Sequence, residues 1–417
     1  MRDKRLPPLR AGHQVQLLQG GRDFFPELVR AIERSVHEVR LETYIFHFDT
    51  SGKRVAGALV RAARRGVAVY LVMDGVGTPF VPKDWASRFD EAGVEWRIFQ
   101  PLGHLGLLIP SRWRRLHRKL CVIDGQVAFC GGINVLDDWF DHHDVRLPAP
   151  RLDFALRVSG PLVRSVHEVM VQFWWRLQAV RDVKNIDLAA SWSDLEQAVR
   201  LALQAAQTDH ADGQGSVPAN GVPAAAGTRA ALLLRDNLRH RSRIERAYRK
   251  AIGEAHEEII IANAYFQPGR KLRQALIHAA QRGVRVRLLL QGRYEYFMQF
   301  HAVRMVYGVL LRAGIEIHEY EPSFLHAKVA VIDRRWATVG SSNLEPLSLL
   351  LAREANVVVV DEHFAGELRA RLVHAMEHEG RPVDPKSYAH RPWQQRLLDR
   401  LAFGLMRVMI FLYGKRY

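Results

Sequence analysis

The sequence predicts an α/β protein made by internal duplication: two domains, each a mixed β-sheet flanked by helices, with one active site at their interface. Three observations predict it. The segment His117-Arg-Lys-Leu-Cys-Val-Ile-Asp124, running on to Gly131-Gly-Ile-Asn134, returns as His326-Ala-Lys-Val-Ala-Val-Ile-Asp333 and Gly340-Ser-Ser-Asn343. His117, Lys119, Asp124, Gly131 and Asn134 thus recur as His326, Lys328, Asp333, Gly340 and Asn343 at a constant offset of 209 residues. One short motif of this kind arises by chance; two in identical register do not. Ahead of each motif, strand and helix patterns alternate, as they do where helices pack on a sheet. Glu91–Pro101 and Arg312–Pro322 also run in parallel, through Ala-Gly-Val-Glu and Ala-Gly-Ile-Glu.

In the first half, Val15-Gln-Leu-Leu reads as a strand and Gly20-Gly21 as the turn after it. Phe24, Leu28, Ile32 and Val36 recur every four residues, which predicts a helix over 24–37 with one buried face. Val39–Phe48 reads as a strand carrying Glu42 and Tyr44, and Arg54–Arg65 as a helix stopped by Gly66. Val67–Met73 is almost continuously apolar, as a strand buried on both faces should be. The second half repeats the order. Ile259–Tyr265 is the strand matching the one that carries Tyr44, Arg270–Arg282 the helix, Gly283 its stop and Val284–Leu290 the buried strand.

The expected organisation is therefore a first domain over 1–207, a linker over 208–228, a second domain over 229–390 and a C-terminal helix over 391–417. The linker is rich in Ala, Gly, Pro and Asn without periodicity, a composition that reads as flexible. Sixteen positions separate Pro101 from His117 but only four separate Pro322 from His326. The first half thus carries an insertion, apolar at its start and basic at its end. It reads either as a loop folded on the body or as a rim that meets lipid.

A chain of 417 residues can bury two cores, and 48% hydrophobic with 25% charged residues is ordinary globular composition. The net charge of +16 is not ordinary. It implies an anionic partner: nucleic acid, an acidic lipid surface or a phosphorylated substrate. The two cysteines, Cys121 and Cys130, sit among apolar neighbours and are expected as buried reduced thiols; a disulfide framework is excluded. No apolar run of signal-peptide or membrane-span length follows the N-terminus.

Residues two apart on a strand share a face, so His117 points with Lys119 and His326 with Lys328. Bringing the halves together gives one site with two imidazoles, two ammonium groups and the two amides of Asn134 and Asn343. That set can cleave a phosphodiester without metal or other cofactor. One neutral histidine attacks phosphorus, the other donates a proton to the leaving alkoxide, and the lysines and amides hold the equatorial oxygens. Gly132 and Ser341, after the second strand of each motif, offer close backbone and hydroxyl donors for phosphate oxygens. Asp124 and Asp333 fall where each motif strand reverses and read as anchors of the turn and of nearby basic side chains. The run Asp137–Asp144 lacks the spacing of a metal-ligand set and reads as a polar loop, and Trp174-Trp175 reads as helix core.

These paired motifs resemble the His-x-Lys-x4-Asp signature of the phospholipase D superfamily over essentially the whole chain. His-Arg-Lys-Leu-x-Val-Ile-Asp-Gly followed by Gly-Gly-Ile-Asn is similar in particular to bacterial cardiolipin synthases of the B type. The resemblance implies that His117, Lys119, Asp124, His326, Lys328 and Asp333 form the catalytic set, with His117 as nucleophile and His326 as acid. It implies a carboxylate downstream of each motif that orients a histidine, for which Glu354 and Asp153 are the candidates. It brings Tyr44 and Tyr265, with Asn134, Asn343, Gly132 and Ser341, into the substrate cleft. The implied activity is transfer of a phosphatidyl group from phosphatidylglycerol to a lipid hydroxyl, with no cofactor. The implied partners are anionic phospholipids, phosphatidylglycerol and cardiolipin, at the cytoplasmic face of the inner membrane. A phosphodiesterase of the same superfamily, acting on phospholipid or nucleic acid, is the alternative; no nucleic-acid-reading module appears. The duplicated motif makes a monomer sufficient.

The C-terminal stretch 392–417 places Leu397, Leu401, Leu405, Val408 and Leu412 three or four apart on one face, with Arg396, Arg400 and Arg407 near the other side. Residues 401–413 would span about 20 Å as a helix against about 30 Å of bilayer core. An interfacial helix on an anionic membrane is expected, rather than a span.

Overall fold

A computed structural model describes residues 6–103, 110–141, 145–184, 228–236, 240–293, 297–345 and 352–414. The expected linker up to residue 227, most of the apolar part of the first-half insertion and part of the 137–144 loop lie outside these residues, and Thr228, placed in the linker, is already in a strand. Among the described residues, sixteen strands form one sheet system.

The first half contributes β1 (Arg10–Gln19), β2 (Glu38–Thr43), β3 (Ala68–Asp74), β4 (Glu95–Phe99), β5 (Arg115–Leu116), β6 (Lys119–Ile123), β7 (Val127–Gly131) and β8 (Phe154–Ser159). Its helices are α1 (Gly20–Glu33), α2 (Thr50–Arg64), α3 (Lys83–Ala92) and α4 (Leu162–Lys184). The second half contributes β9 (Thr228–Arg235), β10 (Glu258–Asn263), β11 (Arg285–Gln291), β12 (Glu316–Tyr320), β13 (Lys328–Ile332), β14 (Trp336–Gly340), β15 (Ala352–Val360) and β16 (Gly380–Pro382). With them run α5 (Arg243–Gly253), α6 (Arg270–Gln281), α7 (Phe297–Arg312), α8 (Glu362–His374), α9 (Pro385–Ala389) and α10 (Trp393–Gly414).

The duplication is visible in the strand order. The first half runs β4-β3-β2-β6-β7-β8-β1 and the second β12-β11-β10-β13-β14-β15-β9, with β16 on the outer edge. In each half the three strands joined by helices are parallel and the four that carry the motif hairpin are antiparallel. β1 and β9 pair antiparallel and join the halves. The mixed sheet follows from connection length: a helical crossover returns a strand parallel, a two-residue turn returns it antiparallel.

Three cores follow from this arrangement. Alternate residues of the motif strands, such as Leu120 and Val122 with Val329 and Val331, bury toward a central core shared by both halves, α4 and α8. Their neighbours Cys121 and Ile123 bury under α1 and α2, and Ala330 and Ile332 under α5 and α6. Each fully buried aliphatic side chain contributes about 1.5–3 kcal/mol, so the interface between the halves is as much core as each half's own. Both cysteines are buried free thiols, and burial pushes the Cys130 thiol up to about 12. Trp174 is buried in α4 as expected of helix core.

Three expected boundaries move. Gly20-Gly21 is not a loop: β1 runs to Gln19 and α1 starts at Gly20. Gly20 takes φ +66°, and side chains at either glycine would press on the Asp138 carboxylate. The strand turns directly into the helix there because glycine permits the corner. Val36, placed on the buried face by its spacing, lies past the end of α1 and is 68% exposed. The strand expected to continue through Tyr44 ends at Thr43; Tyr44 belongs to the segment that leaves the sheet, where Asn134 Oδ1 accepts from Ile45 N at 3.2 Å.

Candidate active site

Each motif histidine lies two residues before the start of an inner strand, β6 or β13, on the edge where the parallel strands end. That placement follows from register: β6 runs antiparallel to β2, so its start lies beside the carboxyl end of β2, where open sheets gather ligands. One residue from each half moors the chain just before the histidine. Asp74, last in β3 and fully buried, accepts from Leu116 N at 2.7 Å and from Arg115 Nη1 at 3.1 Å. Gln291, last in β11, accepts from Leu325 N at 2.9 Å. Neither was singled out in the sequence, although matching the ends of the two repeated strands aligns them.

The histidines are completed across the duplication. His117 N donates to Arg353 O at 3.0 Å, and His117 Nδ1 lies 3.1 Å from Glu354 Oε2. His326 N donates to Leu152 O at 2.9 Å, and His326 Nδ1 lies 2.6 Å from Asp153 Oδ2. Each histidine thus takes both its main-chain anchor and its carboxylate from the other half. Glu354 and Asp153, expected to orient the histidine of the motif each follows, are buried behind the imidazoles and touch them at Nδ1, each at the histidine of the other half. A carboxylate at Nδ1 fixes the proton there and leaves Nε2 for a reacting atom.

The lysines fold back on the same strand ends. Lys119 Nζ donates to His117 O at 2.8 Å, and Lys328 Nζ donates to His326 O. Tyr44 packs against His117 with ring centroids 4.9 Å apart and the planes tilted by 57°, and Lys119 Nζ lies 5.5 Å from the Tyr44 ring. Tyr44 directly follows β2, whereas Tyr265 lies two residues past the end of β10. The rings of His117 and His326 remain 16% and 25% exposed at the cleft.

Burial and crowded positive charge dominate the electrostatics. Burial, with Lys328 nearby, pulls Lys119 down to about 7 even though Glu354, Asp153 and Asp74 favour its charged form. Burial, then Lys328, Lys119 and His117, hold His326 well below the usual imidazole value. His117 is lowered by burial too, but Glu354 opposes the shift. Burial pushes Asp153 up to about 6 against the pull of Lys328. An anion between the two halves would relieve all three bases at once, because it favours the charged form of each.

Several expected roles change. Asp124 and Asp333 are grouped with the catalytic residues in the sequence reading, yet they sit at the far ends of β6 and β13. Five residues along a strand is about 16 Å. There Asp124 accepts from the backbone N–H groups of Val36, His37 and Glu38, and Asp333 from those of His256, Glu257 and Glu258. They anchor the start of β2 and β10, not basic side chains. Replacing Asp124 with Ala should lower unfolding stability by about 1–3 kcal/mol, the usual cost of losing such bonds to a charged acceptor, while the folded variant keeps its turnover number. A turnover number that collapses at unchanged melting temperature would return Asp124 to the catalytic set.

Gly132 and Ser341 do not offer donors to a ligand. Their N–H groups bond to Phe154 O and Ala355 O. A Cβ at Gly132 would lie 2.3 Å from Asp153 Oδ1, so glycine there makes room for the carboxylate. The buried Ser341 hydroxyl donates to Glu354 Oε2. Asn134 steadies the Tyr44 segment, and Asn343 is buried beside Ser342. No group of acidic, cysteine and histidine side chains able to hold a metal ion occurs among the described residues.

A duplicated α/β fold with one two-histidine, two-lysine site completed across the halves defines the phospholipase D-like enzymes. The sequence profile described as "Cardiolipin synthase, PLD-like domain" matches residues 28–144 and 248–376. The chain is 34% identical to cardiolipin synthase B of Escherichia coli K12 over 405 residues, 97% of this chain and 90% of that one. It is 36% identical to the Salmonella typhi protein of the same name over the same spans. In fold it is similar to a phosphatidylserine synthase of Haemophilus influenzae, with a TM-score of 0.64 at 12% identity, covering 96% of this chain and 95% of that one. The chain belongs to the cardiolipin synthase family of phospholipase D-like phosphatidyltransferases.

Proposed function

We propose that this chain makes cardiolipin by transferring the phosphatidyl group of one phosphatidylglycerol to a hydroxyl of another, through a phosphohistidine. The observation that carries the reading is the pair of crossed contacts, His117 with Glu354 and His326 with Asp153, which leaves two Nε2 atoms free at one cleft. His117 Nε2 attacks phosphorus and forms the P–N bond. The P–O bond to glycerol breaks as His326 donates its Nε2 proton to that oxygen. The second lipid's hydroxyl then gives its proton to His326 and attacks phosphorus, and the P–N bond breaks. Lys119 and Lys328 hold the non-bridging oxygens as charge shifts. Two phosphatidylglycerols become one cardiolipin and one glycerol.

His117 is given the nucleophile's role by its place in the first motif. The electrostatics oppose this in one respect, since burial and the neighbouring cations hold His326, the assigned acid, well below the usual imidazole value. A bound diester anion shifts both upward, so labelling of the intermediate decides the order.

One chain supplies both motifs, which supports activity as a monomer. The membrane contact is assigned to α10. This helix packs on α7 through buried Asp399 and Ala402, with Asp399 bonded to His301 at 2.8 Å and Arg391 at 2.9 Å. Its other face leaves Trp393, Leu397, Leu401 and Leu405 exposed in a row. No helix among the described residues is long and apolar enough to cross a membrane, and peripheral attachment at the cytoplasmic face of the inner membrane is the site we assign. Expression in a bacterial strain lacking its own cardiolipin synthases should restore cardiolipin in the lipid mass spectrum. Phosphatidic acid without cardiolipin would make the chain a hydrolase instead.

A further inference from the structure

We infer that the cavity beside His326 is a subsite for a small polyol, the glycerol that leaves or the glycerol headgroup that accepts, and that Asp138 is its recognition group. This rests on the proposed transfer reaction and specifies where its alcohol sits.

The oxygen exchanged at phosphorus must lie at His326 Nε2, since that atom gives and takes its proton. The carbon skeleton attached to this oxygen must therefore extend on the His326 side of the cleft. A cavity opens there, lined by His326, Asp153, Asn134, Leu136, Arg151 and Asp138 among others. It is a narrow recess, partly open to solvent, and has no room for the acyl chains of a lipid. His117 and the two lysines do not line it.

Its lining comes mostly from the first half, with Phe324, Leu325 and His326 from the second. It is walled by the loop that follows β7, in which Asp141 and Val145 pair and Arg151 Nη1 donates to Asp137 O at 3.0 Å. Arg151 also donates to Phe140 O, so its guanidinium braces the loop. Asp138 is the acidic group in the lining that serves no histidine. One of its oxygens, Oδ2, accepts from Gly21 N at the start of α1. The glycines at 20 and 21 are what allow the carboxyl to sit there.

The chemistry of the lining selects a neutral polyol. Burial pushes the Asp138 carboxyl up to about 7, with Asp153 and Asp137 adding to the shift. Near neutrality such a group both accepts and donates hydrogen bonds, as the hydroxyls of a diol require. Two carboxyls in one small cavity disfavour an anionic headgroup, and the lysines and Arg151 around the cleft disfavour an ammonium. Leu136, Ile133, Leu325 and Phe324 supply apolar walls for the C–H faces.

The test uses the full-length protein on phosphatidylglycerol vesicles with deuterated glycerol, methanol or ethanolamine as acceptor. The readout is the ratio of glycerol transfer to methanol transfer, which a general loss of fold or of catalysis does not move. Asp138→Leu should lower that ratio about tenfold, the value of one good hydrogen bond. Asp138→Asn, which can still accept from Gly21 N and bond a hydroxyl, should hold it within about threefold of the unaltered protein. Should the leucine variant fail to fold, Leu136→Phe narrows the cavity without touching Gly21 and should produce the same loss. A ratio unchanged in both the folded leucine variant and the phenylalanine variant overturns the subsite. A larger loss for ethanolamine than for glycerol overturns the polyol in favour of an aminoalcohol. If the unaltered protein transfers to no alcohol at all, the proposed function fails and the subsite with it; normal transfer with unchanged ratios sinks the subsite alone.

Discussion

Replacing either His117 or His326 with Asn should lower turnover by about 10,000-fold, the scale on which a covalent nucleophile or its acid partner is lost. Asparagine is the informative substitution. Alanine would leave Glu354, which is completely buried, or Asp153, which is nearly so, without the imidazole N–H that faces it. Breaking a buried pair from one side costs about 3–5 kcal/mol, so an inactive alanine variant could simply be unfolded. An asparagine amide keeps a donor near the Nδ1 position and removes only Nε2. The variants should therefore melt within a few degrees of the unaltered protein, and circular dichroism would show it. In the His326→Asn protein the second step is also starved of its base, so label from a phosphate-labelled lipid should accumulate on the chain after a quench that avoids acid. Peptide mapping should find it at His117. Label at residue 326 in the His117→Asn protein, with none at 117 in its counterpart, would exchange the two roles. A folded variant with near-normal turnover would end the two-histidine scheme.

The duplication, the mixed sheet and the recurrence of the histidines and lysines were legible in the sequence because they rest on local patterns: period, spacing and repetition. The pairing of carboxylates was not. Spacing along the chain associates Glu354 with His326, twenty-eight residues before it, whereas the pseudo-symmetric packing of β15 and β5 delivers it to His117. A motif count cannot see which half faces which. The grouping of the two motif aspartates with the catalytic residues has a related origin. Recurrence shows that a residue is needed, not what for. Asp124 and Asp333 recur because each half needs three backbone donors satisfied at the start of its second strand, a requirement of the fold. Their backbones take positive φ, 52° and 50°, in tight turns of the kind that join paired strands. Asp74 and Gln291 were missed since one is acidic and the other an amide, and only their common task, accepting one N–H before the histidine, makes them equivalent. At the matching offset Asp138 is answered in the sequence by Leu347, and repetition is blind to what occurs once.

Changing Leu397, Leu401 and Leu405 together to Ser should release the protein from anionic vesicles while leaving its stability almost unaltered. The three side chains are 47%, 61% and 54% exposed, so the folded chain in water gains little from them. Inserted at the boundary of the acyl chains, each would contribute about 1–2 kcal/mol, and losing three should weaken binding by about a hundredfold or more. Exposed Arg400 on the same helix stays in place to meet lipid phosphates, as does the overall charge of +16. Residual binding should then be purely electrostatic and vanish as salt is raised past the physiological range, where screening shortens to less than about 8 Å. Deleting α10 outright is a poorer experiment. The helix covers α7, and Asp399 is tied to His301 and Arg391, so the truncated chain would expose part of its own core and melt early for reasons unrelated to lipid. The triple substitution touches only the outward row. Its activity on phosphatidylglycerol in vesicles should fall with its binding, and its activity on a short-chain diester in solution should not. If vesicle sedimentation and vesicle activity both survive the three serines, the apolar row is not the membrane contact, and α10 serves only to cover α7.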